Sequence, residues 1–136
     1  MLFRSLRLVA PGGHPVYVAT QSSGAIFAID GTTGSPLVVD ETFALASARA
    51  HAVARGIEAS AAILLETAEH DQWTVPNGLD PHRPLHRIAL NDTAGTELHV
   101  SSLTGEVVRD STRMERIANY AGSVMHWIYQ IGRAHV

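Results

Sequence analysis

The feature that most constrains this sequence is a short internal repeat. The stretch GAIFAIDGTTG, from Gly24 to Gly34, aligns without gaps on GTELHVSSLTG, from Gly95 to Gly105. The end glycines coincide, Phe27 meets Leu98, Ile29 meets Val100 and Thr33 meets Thr104. Each copy follows a β-prone segment led by a proline, Pro15 or Pro84. A β unit written twice predicts two related halves sharing one small core. The Thr-Gly ends need no chemistry, because a turn requiring positive φ favours glycine.

The rest of the chain fits around those units. Pro15 to Thr20 and Ala25 to Asp30 predict a hairpin, followed by a turn over Gly31 to Gly34 and a short apolar stretch from Pro36 to Val39. Asp40 or Thr42 can cap a helix through about Arg55, with Phe43, Leu45, Ala46, Ala50, Val53 and Ala54 as its apolar face and Gly56 as its stop. Strands are expected at Ala61 to Thr67 and Asp71 to Val75, around a turn at Ala68 to His70. The proline-rich Pro76 to Pro84 is expected as a loop. Leu85 to Leu90 should pair with Thr96 to Ser101, with Ile88 opposite Leu98 and Arg87 opposite His99. A short strand follows at Glu106 to Arg109. Thr112 and Glu115 then form a T-x-x-E capping box for a last helix with apolar Met114, Ile117, Ala118, Ala121, Val124, Met125 and Ile128. The fold class expected is α+β, with an antiparallel sheet and a packed helix.

Composition excludes several functions. With 136 residues and no cysteine, the chain has no disulfide, thiolate nucleophile or Cys-ligated zinc. Net charge is −3 and no basic run is interleaved with aromatics, so nucleic acid is not an expected partner. No signal peptide and no run of about 18 apolar residues is present. The two ends qualify that reading. MLFRS and QIGRAHV can be back-translated so that the reverse complement of the first lies within the second, in the manner of a sequencing adapter read at both ends. Residues 1–5 and 131–136 are therefore read as artefacts, and the chain as a fragment.

The order helix, two strands, proline-led strand, GTELHV and then the turn LTGEVV resembles the PepSY domain. The segment DSTRMERIANYAGSVMHWIY, from Asp110 to Tyr129, resembles the opening of the helix that follows in PepSY-associated transmembrane proteins. The resemblance implies a partial first PepSY-like repeat at 6–40, a PepSY-like domain at 41–109 and the start of a transmembrane helix at 110–130. It further implies a bacterial inner-membrane protein with this segment facing the periplasm. Expected partners are the inner membrane and a peptide or peptidase, and the module would be non-catalytic. Some relatives look like haem-containing ferric-siderophore reductases. On that alternative the parent is a membrane ferric reductase involved in iron acquisition, with a ferric siderophore as partner. His126 is then a possible ligand of haem b, although the fragment itself would hold no cofactor.

The residues offer no metal or catalytic set of their own. Pro81 and Pro84 forbid the helix that would align His82 with His86. His86 shares the face of Ile88 and reads as a core histidine, while His99 reads as a solvated cross-strand neighbour. His14, His51 and His70 carry no metal signal. Glu66, Glu69, Asp71, Asp80, Asp92 and Asp110 fall in turns, where acids bond to backbone. The serines lack a nucleophile elbow.

Overall fold

A computed structural model describes residues 2–68, 79 and 82–134. Among these, strands β1 (Phe3–Val9), β2 (Val16–Gln21) and β3 (Ile26–Asp30) precede helix α1 (Glu41–Ala54). Strands β4 (Ile63–Ala68), β5 (Leu85–Ala89), β6 (Glu97–Ser101) and β7 (Val107–Ser111) lead to helix α2 (Arg113–Ala134). The fold is α+β, but with two antiparallel sheets rather than one. They run in the orders β1-β2-β3 and β4-β5-β6-β7. The expected strand Asp71 to Val75 lies outside the described residues.

The repeat in the sequence is a repeat in hydrogen bonding. Asp30 N–H donates to Ser35 O at 2.9 Å, and Ser101 N–H to Glu106 O at 2.8 Å. Gly34 N–H donates to Asp30 O, and Gly105 N–H to Ser101 O, at 2.8 and 3.0 Å. Thr33 and Thr104 each accept from the amide two residues on, at 3.2 and 3.3 Å. Even the proline-led strands correspond, since Pro15 O accepts from Gly31 N–H and Pro84 O from Ser102 N–H. Gly34 and Gly105 have φ of 73° and 75°, so glycine is required at both. The copies part company at their third strand. Ile29 meets Pro36 in a single bridge, whereas the equivalent Val100 and Val107 begin the β6–β7 ladder.

α1 packs on the four-stranded sheet. Asp40 is its cap, accepting from Phe43 N–H at 2.8 Å. Ile57 N–H to Ala52 O and Gly56 N–H to Val53 O close its end in a Schellman motif, with Gly56 at φ 72°. The buried stripe is Ala44, Ala48 and Ala52 with Ser47, not the face expected from the bulkier residues. Val53 and Ala50 point to water. Small side chains let the helix axis approach the sheet, where Ile88, Leu90, Leu98 and Val100 fill the core. Burying each of those four contributes about 1.5–3 kcal/mol.

The two sheets meet around α1. The Pro11–Gly13 turn lies against it so closely that a Cβ on Gly12 would sit 3.1 Å from Ser47 N. Ser47 Oγ donates to Gly105 O at 2.6 Å, and the Phe43 ring occupies the space a Cβ on Gly105 would need. His14 stacks edge-on against Phe43 at 5.5 Å and pairs with Asp30 at 2.8 Å. Arg7 forms a forked pair with Glu106 at 3.1 and 3.2 Å.

Candidate functional site

The site expected from sequence is α2 with His126. Its start is as the sequence predicts. Glu115 N–H donates to Thr112 Oγ1 at 3.2 Å and Thr112 N–H to Glu115 Oε2 at 3.3 Å, which completes the capping box. Arg113 N–H also donates to Ala94 O at 3.0 Å. One residue carries most of the attachment to the body. Arg116 donates through Nη1 to Ser111 O and Oγ, both at 3.1 Å, and through Nη2 to Gly95 O at 2.7 Å. The same guanidinium lies 3.5 Å from Glu97, which lies 3.8 Å from Arg87, itself 3.2 Å from Glu66. A line of alternating charge therefore crosses the sheet from β4 to the root of α2. Sequence put Arg87 opposite His99, with Glu97 as a diagonal neighbour, and gave no sign that Arg116 would join them from outside the sheet.

Beyond that root α2 does not pack on the sheet as expected for an isolated amphipathic helix. Met114, Ile117, Tyr120, Met125, Trp127, Ile128 and Tyr129 are all exposed. Apolar Met114, Ile117, Ala121, Val124, Ile128 and Ile131 recur at alternating steps of three and four. Arg116, Asn119, Ser123, His126, Gln130 and Arg133 repeat the pattern two residues later, roughly 200° around the helix. His126 lies on this polar stripe, with Nε2 3.0 Å from the Gln130 amide nitrogen. Among the described residues no helix is long and apolar enough to cross a membrane.

The remaining histidines are placed by the sheets. His86 is a core histidine, as expected. Its Nε2 donates to Val39 O at 3.2 Å, and its Nδ1 lies 2.7 Å from the Thr67 hydroxyl. His99 is opposite Arg87 as the register predicts, but it is buried rather than solvated. It stands in a row between Arg87 and Arg109 on the neighbouring strands. His82 Nδ1 lies 3.1 Å from Ser101 Oγ. Burial holds the His82 imidazole below its ordinary pKa, opposed by Glu106 and reinforced by Arg7. No group of three or more His, Asp or Glu among the described residues could hold a metal ion. Among the described residues of α2 the one imidazole is that of His126.

One feature was not anticipated. β7 is an edge strand, and two adjoining depressions follow it. The larger, about 350 Å³, is bounded by Val9, Pro11, Ala50, His51 and Val107, and the smaller, about 170 Å³, by His51, Arg55 and Val107 to Asp110. His51 Nε2 is buried between them and finds no hydrogen-bond partner among the described residues. Burial, with Arg55 adding and Asp110 opposing, keeps this imidazole below its ordinary pKa. Two ion pairs stand at the rim, Arg55 with Asp110 at 2.9 Å and Glu106 with Arg7. Arg109 also lines the smaller depression, so the groove carries a net positive charge, with an open ladder edge along it. Such an arrangement can take up an extended backbone.

No family model, no curated protein and no solved structure matches the chain.

Proposed function

We propose that this chain is a PepSY-type binding and regulatory module of a bacterial inner-membrane protein, lying on the periplasmic side and without catalysis of its own. The observation that carries the reading is the direct passage of edge strand β7 into α2, with Thr112 alone between them. A strand edge beside an open groove supplies a surface for a peptide, and a helix with an exposed apolar arc supplies a membrane attachment. On this reading α2 is the beginning of a membrane segment, with Trp127 and Tyr129 at the water–lipid boundary. The full chain carrying Trp73→Phe tests the attachment. With vesicles of phosphatidylcholine and phosphatidylglycerol, Trp127 emission should move to shorter wavelength; unchanged emission at saturating lipid would remove the membrane from the proposal. Titration with secreted peptidases and extended peptides tests the other half, and failure of every one to bind would remove the regulatory role.

A second reading, the periplasmic part of a haem-containing ferric-siderophore reductase, is favoured by the polar stripe that holds His126. Inside a membrane such a stripe faces other helices rather than lipid, because a polar side chain in hydrocarbon is costly. The intact parent should then show a b-type haem spectrum that His126→Ala weakens. A spectrum indifferent to that substitution would take His126 out of the role.

A further inference from the structure

The three-stranded sheet presents an apolar face that none of the described residues covers. In register, Leu8 lies beside Tyr17 and Tyr17 beside Ile29; Leu6, Ala19 and Phe27 form the next row. Leu6, Leu8, Tyr17, Phe27 and Ile29 are between 36% and 70% exposed, and no charge interrupts the two rows. The other face holds the fully buried Val16 and Val18. An antiparallel sheet that leaves one face to water ordinarily makes that face polar. This one does not.

The repeat identifies what such a face is built to meet. Phe27 and Ile29 correspond to Leu98 and Val100, and the turns that follow are hydrogen-bonded alike. In the second copy Leu98 and Val100 are 1% and 0% exposed, packed in one cluster with Ala44, Ala48 and Ala52 of α1. α1 is committed to that sheet, so among the described residues no helix takes its equivalent position on the first sheet. The geometry points to a second helix of α1's kind as the occupant of this face, with alanines or serines every fourth residue and no charge on that stripe. The uncharged rows match an uncharged stripe. Covering them would remove roughly 500 Å² from each side, about 1,000 Å² in total, the lower limit of a specific interface. Such a contact is weak between separate molecules and effective when tethered.

The inference is independent of the membrane role, and its test uses the whole chain. A second copy of Asp40–Ile57 is joined ahead of Leu2 through a flexible Gly/Ser linker of about 20 residues. The urea midpoint should rise independently of protein concentration, and amide exchange at Leu6, Leu8 and Phe27 should slow at least tenfold. Leu8→Lys and Phe27→Glu should each erase that gain. Both positions are exposed, so neither should shift the midpoint of the untethered chain. No rise, or a rise that survives both substitutions, overturns the inference. Should the untethered chain sediment as a dimer that Leu8→Lys dissolves, the face takes a second copy of the sheet and the helix proposal fails.

Discussion

At the scale of single residues, the turn that closes each repeat is where chemistry and conformation are most tightly tied. Asp30 accepts from both the amide and the hydroxyl of Thr32, at 2.8 and 2.6 Å, and pairs with His14. Those bonds, Thr32's ahead of His14's, lower its pKa from 3.8 to about 2. A carboxylate with a depressed folded pKa stabilises fully above the unfolded value and loses that contribution as pH falls toward the folded one. Asp30→Asn should therefore flatten the acid-unfolding curve between pH 3.8 and about 2, measured by circular dichroism. An unaltered slope would show that the Thr32 bonds do not survive in solution. Residue by residue, the pairing of Ile88 with Leu98 was legible because a loop of known length leaves a hairpin one register. The burial of His99 was not legible. Alternation shows which face a side chain takes, but not what the neighbouring strands hold over it.

At the scale of elements, α2 depends on its first turn more than on its length. A helix of 22 residues with few tertiary contacts relies on its cap and on Arg116. Arg116→Ala removes charge-assisted bonds to Ser111 and Gly95, each worth about 1.5–3 kcal/mol when buried, and less at this partly exposed site. Hydrogen exchange at Met114 to Ala118 should accelerate by at least tenfold while the amides of β5 and β6 remain protected. Acceleration throughout the domain would mean that Arg116 supports the sheet itself. The capping box was readable from four letters. The face of α1 was not, because alanine contributes little to a periodicity yet decides how near a helix can lie. β1 was missed for a related reason. No element was expected before Pro15, and the alternation of β1 places Leu6 and Leu8 on a face that nothing described here covers.

At the scale of the whole molecule, the question is what keeps two sheets together. The Arg7–Glu106 pair looks prominent, but both groups remain partly in water, where such pairs contribute under about 1 kcal/mol. The closer contact is Gly12 against the α1 backbone. Its φ of 61° and the 3.1 Å that a Cβ would leave to Ser47 N make any side chain costly there. Gly12→Ala should lower stability by about 1–3 kcal/mol, and Arg7→Ala by under about 1 kcal/mol, in urea unfolding. The reverse order would assign the junction to the ion pair. The duplicated unit announced two related halves in advance. The split into separate sheets was hidden, since the repeat specifies the pairing inside each copy but not whether the two copies join edge to edge.

The short passage from β7 to α2 also determines how the domain meets mechanical load. A pull on the helix passes through Thr112 to the Glu97–Ser111 end of the β6–β7 ladder before any core side chain is strained. Heat has to undo the contact between α1 and the sheet; tension has only to break the last rungs at the margin. Resistance to force and resistance to temperature therefore reside in different residues of the same small fold.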